Sequence, residues 1–155
     1  MMNKVRNLPL LLIVGFVLSL TACNKYRKYD NGAVVEDTFS GDIDVTTIGD
    51  DPTGIFEGQA ENGVYSFAWE NFASYAELYF DLTPTDDSVG LVEFIIRDAR
   101  GNTVIQEELN AELPGDSLFF GQTELGEPGK WLIEINFTDF SGEGSYYVLP
   151  SYEKE

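Results

Sequence analysis

Ala76-Glu77-Leu78-Tyr79-Phe80-Asp81-Leu82 alternates apolar and polar side chains without a break. Successive side chains on a strand point to opposite faces, so Ala76, Leu78, Phe80 and Leu82 form one face and Glu77, Tyr79 and Asp81 the other. The same period recurs outward in both directions. Ile43-Asp44-Val45 and Tyr65-Ser66-Phe67-Ala68-Trp69 precede it; Val92, Phe94 and Ile96, then Trp131, Ile133, Ile135 and Phe137, follow it. Asp98-Ala99-Arg100-Gly101-Asn102 is a turn signal that makes residues 91–109 a hairpin. Ser141-Gly142-Glu143-Gly144 reads as a further turn before a last strand at residues 146–149. Helical periodicity is hard to find. The expectation is an all-β fold, an antiparallel β-sandwich of jelly-roll or Ig-like type, in one domain over residues 36–155.

The first residues carry a different message. Lys4 and Arg6 precede an apolar run over residues 8–20, too short for a comfortable transmembrane helix and of signal-peptide length. The run ends in Leu20-Thr21-Ala22-Cys23, which resembles the lipobox of bacterial lipoproteins. The resemblance implies a signal peptide over residues 1–22, cleavage before Cys23, and a covalent lipid on that thiol: diacylglycerol, with a further acyl chain such as palmitate on the freed amine. Residues 23–35, polar and without apolar period, would be the tether. Several acyl chains make such an anchor effectively permanent, because each buried CH₂ contributes about 0.8 kcal/mol. Asn24 after the cysteine, and basic rather than acidic residues beyond it, resemble the pattern of outer-membrane lipoproteins that face the periplasm.

Within the domain, the order of features from about residue 64 to 148 resembles bacterial pre-peptidase C-terminal domains. The pieces that carry this are Tyr65-Ser66-Phe67, Leu78-Tyr79-Phe80-Asp81-Leu82, the Asp-x-x-Gly-Asn turn at residues 98–102, Gly129-Lys130-Trp131-Leu132-Ile133-Glu134-Ile135, and Gly144-Ser145-Tyr146-Tyr147-Val148. Val92-Glu93 stands where that family usually has an acidic pair. The resemblance implies a non-catalytic sandwich module.

The chain has 9 Lys and Arg against 27 Asp and Glu, a net charge of −18, and no histidine. Lys25, Arg27 and Lys28 form a basic collar directly after Cys23, suited to anionic headgroups. No Lys or Arg then occurs until Arg97. So acidic a domain is repelled by nucleic acid, which excludes that class of partner. Without histidine or a second cysteine, Ser-His and Cys-His catalysis and His-ligated zinc are excluded. Paired carboxylates could hydrolyse a glycoside, but a sandwich of this size leaves little room for a cleft. The expectation is that the protein is not an enzyme.

Two ligand classes stay open. Asp42, Asp44, Asp50 and Asp51 cluster in sequence and carry the oxygens calcium requires, although the spacing lacks the EF-hand pattern and also suits a solvated loop. Tyr75 and Tyr79, opposite the apolar face of their strand, are the aromatics placed to stack on a sugar ring; Trp69 and Trp131 lie on apolar faces and belong to the core. The leading expectation is a membrane-anchored binding or scaffolding subunit that docks a protein partner in the envelope. A carbohydrate-binding module is the alternative.

Overall fold

The computed structural model describes residues 32–48, 51–83, 87–113 and 117–154, with side chains 46–48 left out. Cys23, Lys25, Arg27, Lys28 and Asp50 lie outside these residues. The described residues form eight antiparallel strands: β1 Ala33–Asp37, β2 Asp42–Ile48, β3 Asp51–Asn71, β4 Tyr75–Thr83, β5 Val89–Arg97, β6 Thr103–Asn110, β7 Leu118–Gln122 and β8 Gly129–Ser151. No helix occurs among the described residues. β1 pairs with β3 from Ala33 onward and so takes up the last residues expected as tether.

Two long strands organise the architecture. β3 and β8 pair along nearly their whole length, from Thr53 opposite Tyr147 to Asn71 opposite Gly129. The first half of β3 also pairs with β2, and the second half of β8 with β4, which pairs in turn with β7. The second half of β3 pairs with β1, and the first half of β8 with β5, which pairs with β6. The hydrogen-bonded network is therefore continuous, and it folds over itself into two layers that share the β3–β8 ribbon.

The fold-over occurs where the ladder slips its register, between Gln59 and Gly63. Bulges bend a strand and increase its twist, which suits a corner. Ala60 (φ 64°) and Asp139 (φ 48°) adopt left-handed backbone conformations here, costly for residues with a Cβ. Asn62 and Asp139 fasten the bend: the Asn62 amide donates to Asp139 Oδ1 at 2.9 Å, and the Asp139 N–H donates to Asn62 Oδ1 at 3.0 Å. Residues 141–144, read in the sequence as a turn, form no reversal. They lie within β8 just after the corner, and the glycines there admit Phe56 and Phe140, whose rings would collide with a Cβ at Gly144 or lie against one at Gly142. The chain bends because its layers share a strand, and a bend draws on the same residue types as a turn.

Between the layers lies an aromatic-rich core. Phe94 of β5 meets Phe80 of β4 at 5.4 Å and Tyr146 of β8 at 5.3 Å, both ring-centroid distances across the sandwich. Trp69 and Trp131 form an edge-to-face pair at 5.9 Å and are buried, as their strand faces predict. The inner faces expected from alternation (Ala76, Leu78, Phe80, Leu82; Val92, Phe94, Ile96; Trp131, Ile133, Ile135, Phe137) are all buried. Burying such side chains contributes about 1.5–3 kcal/mol each, the main drive for the two layers to close.

Candidate functional site

The layer built from β2, β3, β8, β4 and β7 turns its outer face to solvent, and pair register sets what appears there. Thr53, Tyr147, Tyr79 and Phe120 stand in one row across four strands. Ile55, Ser145, Asp81 and Leu118 form the next row, with Asp44 opposite Ile55 at its edge. Asp42, Glu57, Glu143 and Thr83 form a third. Strand alternation makes this face possible: every apolar residue of β4 turns inward and leaves Tyr79 and Asp81 outside.

Tyr79 and Tyr147 lie directly opposite one another, with ring centroids 5.0 Å apart and planes within 8°. That separation matches the spacing of neighbouring strands, so the rings form an offset stack across the sheet. Each ring covers one face of the other, and the row runs on to Thr53 beyond Tyr147 and to Phe120 beyond Tyr79. Phe120, 59% exposed, continues the row beyond Tyr79, and Ile55 (63%) and Leu118 (54%) are open in the adjoining row. The Tyr79 hydroxyl reaches Asp81 Oδ2 at 3.4 Å. Partial burial, the Asp81 carboxylate and Tyr147 all favour the neutral phenol and raise its pKa.

Beside the row the surface sinks into an open depression of about 490 Å³, lined by residues that include Asp44, Ile55, Glu57, Thr83, Glu143 and Ser145. Its volume lies in the range of small-ligand sites. Apolar rings, hydroxyls and carboxylates thus adjoin on one rigid face. Rings stack on the C–H faces of a sugar, and carboxylates accept from its hydroxyls.

The sequence-derived candidates fare differently. Tyr79 is central to the face. Tyr75 shares its strand face but stands opposite Ser151, four residues from Tyr79 and so roughly 13 Å along the strand. Asp42 and Asp44 project from the same face of β2, whereas Asp51 lies at the far end of the β2–β3 hairpin, six positions from the Asp42–Glu57 pair and about 20 Å away. The acids near in sequence are thus spread along an extended hairpin, and among the described residues no three ligating side chains converge. Tyr147, Phe120 and Ile55 are not singled out by sequence reading. Tyr147 had a signal, since its neighbours Tyr146 and Val148 point inward and alternation sends it out.

A second feature is structural. Asp98, 5% exposed, accepts four hydrogen bonds: from the Arg100 N–H (2.9 Å) and Asn102 N–H (2.8 Å) on Oδ1, and from the Asn102 amide (3.0 Å) and Glu127 N–H (3.1 Å) on Oδ2. Burial pushes its pKa up, but these donors outweigh it and hold the carboxyl at about 2. Asp98 closes the β5–β6 turn and ties it to the loop before β8, where the Glu127 carbonyl accepts from the Trp131 indole at 2.8 Å.

No family model matches the chain, and no curated protein does. Among solved structures, a study of carbohydrate-binding modules from the β-sandwich superfamily provides one similar chain. It shares 12% identity over 75% of this chain, with a TM-score of 0.41, and this chain spans 54% of its length. The module TmCBM61, in complex with β-1,4-galactotriose, matches at 14% identity over 73% of this chain and 87% of its own, TM-score 0.47. The mannan-recognising module TmCBM27 matches at 10% identity over 76% and 84%, TM-score 0.48. These likenesses are of outline alone, and no residue role passes from them to this chain.

Proposed function

We propose that the domain is a non-catalytic carbohydrate-binding module whose ligand lies across the outer face of β3, β8, β4 and β7. The observation that carries this reading is the parallel Tyr79–Tyr147 stack, continued by exposed Phe120 and bordered by Asp81 and a shallow depression. The row lies on the face opposite the core, so it adds a cross-strand pair to its sheet but does not close the two layers. Saccharides have the matching chemistry: apolar ring faces and hydroxyl rims. This places glycan binding ahead of docking a protein subunit, the reading the sequence favours first. The lipid anchor at Cys23 belongs to the same proposal and would hold the module at an envelope membrane.

A saccharide array probed with the purified protein, followed by calorimetry on the hits, tests the reading. Tyr147→Ala and Tyr79→Ala are each expected to weaken binding roughly tenfold, the equivalent of an aromatic contact of about 1.5 kcal/mol. Tyr75→Ala is expected to change it less. Absence of binding across the array, with the protein folded, would refute the proposal. Capture of one protein partner through Ile55, Leu118 and Phe120 instead would restore the docking reading.

A further inference from the structure

The end of the sandwich at which the chain arrives from Cys23 differs in surface chemistry from the rest. Gly32, the first described residue, donates its N–H to the Ala68 carbonyl, close to the end of β3. That end also carries the β3–β4 loop, the residues before β8 and those after it. Gly126 donates to the Ser74 carbonyl, Glu127 to Asp98, and Ser151 pairs with Tyr75.

The three most exposed large apolar side chains among the described residues lie on these segments: Tyr152 (73%), Phe72 (67%) and Leu125 (66%). The cations gather there too. Arg97 closes β5, Arg100 pairs with Glu127, Lys130 stands opposite Glu70 beside the β3–β4 loop, and Lys154 pairs with Glu124. These four are all the Lys and Arg of the described residues. Glu70, Asp98, Glu124, Glu127 and Glu153 stand among them, with Asp51 and Glu77 close by, whereas the remainder of the described surface is acidic without a base.

We infer that this end is a membrane-contacting tip, seated on the lipid surface with Phe72, Leu125 and Tyr152 in the interface. The inference rests on the lipid anchor at Cys23 and not on the glycan reading. Two arguments fix the occupant as a bilayer. The nine residues from Cys23 to Gly32 reach at most about 30 Å, so this end cannot stray far from the membrane. It is also the end that carries all four described cations, so anionic headgroups repel it less than they repel the other surfaces. Tyr suits the interface, its ring apolar and its hydroxyl wet, and Phe and Leu supply apolar surface to bury there. So seated, the strands stand off the membrane, and the aromatic row faces sideways, clear of the lipid.

The test uses the lipidated protein in vesicles of phosphatidylethanolamine and phosphatidylglycerol. Cysteines introduced by Phe72→Cys, Leu125→Cys and, at the opposite end, Glu143→Cys are labelled with a fluorophore; Cys23, as a thioether, does not react. Brominated lipids are expected to quench the labels at 72 and 125 and to leave 143 unquenched. Equal, weak quenching at all three positions would overturn the inference, as would quenching at 143 alone. Intact mass separates the premise from the inference: a Cys23 without lipid removes the basis for the tip. Phe72→Ser combined with Leu125→Ser, checked for folding by thermal unfolding, is expected to raise label exposure at Tyr152→Cys and to leave saccharide affinity unchanged. No rise there would count against the tip, and the unchanged affinity keeps this result apart from the glycan proposal.

Discussion

Asp98→Asn is the substitution whose consequence the structure specifies most fully. The native carboxylate serves four donors, three of them backbone N–H groups that cannot turn away. An asparagine can keep its oxygen on the Arg100 and Asn102 N–H groups, but its NH₂ then faces the Glu127 N–H, donor against donor. The pKa supplies the magnitude. A carboxyl held at about 2, against an ordinary 3.8, corresponds to about 2 kcal/mol of folding stability at neutral pH. Counting bonds leads to a similar figure: two charge-assisted hydrogen bonds disrupted, each worth about 1.5 kcal/mol or more, partly recovered because the turn around Asp98 is open to water. A domain of this size loses roughly 4 °C per kcal/mol, so Asp98→Asn is expected to lower Tm by about 8 °C at pH 7.

The sign with pH follows from the depressed native pKa. The carboxylate's contribution is complete above the unfolded pKa near 4 and is lost as pH falls through 4 toward 2. Wild type and Asp98→Asn should therefore differ fully at pH 5–7 and converge between pH 4 and 2. Urea unfolding followed by tryptophan fluorescence measures this directly, since Trp131 and Trp69 lie next to the tied loop. Parallel stability curves across the whole range would show that the four hydrogen bonds do not act as described.

Other substitutions test the core and the corner. Phe94→Ala removes a ring that contacts both Phe80 and Tyr146 across the layers, and is expected to cost about 3–5 kcal/mol by chemical denaturation. Tyr146→Phe should leave stability unchanged or raise it by up to about 1 kcal/mol, because the buried hydroxyl has no hydrogen-bond partner among the described residues. Loss of more than that would reveal a partner for this oxygen. Gly54→Ala would bring a methyl within 2.6–2.7 Å of the Tyr146 ring and hydroxyl, so a loss of about 1–3 kcal/mol in thermal unfolding is expected. Ala60→Gly, at φ 64°, is expected to stabilise the corner by about 0.5–1 kcal/mol, strain relief outweighing the entropy a glycine adds to the unfolded chain.

The sequence by itself determined the period of the strands and therefore their two faces. Ala76, Leu78, Phe80 and Leu82 are buried, Trp69 and Trp131 are core, and the hairpin over residues 91–109 is β5 and β6. These are local properties, because a strand's period of two is carried by its own residues. Chemistry was legible in the same way: a chain without histidine, whose only cysteine stands at the end of a lipobox-like motif, limits its own reactions.

What only the tertiary structure decided is which residues of different strands become neighbours. Tyr79 and Tyr147 are 68 positions apart, and nothing local to either says that β4 and β8 pair in the register that stacks them. The glycine-rich stretch at residues 141–144 reads as a turn because a bend and a reversal use the same residue types. Whether the chain reverses or continues into the other layer depends on pairing with β3, a contact with distant residues. The acids near one another in sequence at residues 42–51 part for the same reason, since an extended hairpin carries Asp42 and Asp51 to its opposite ends.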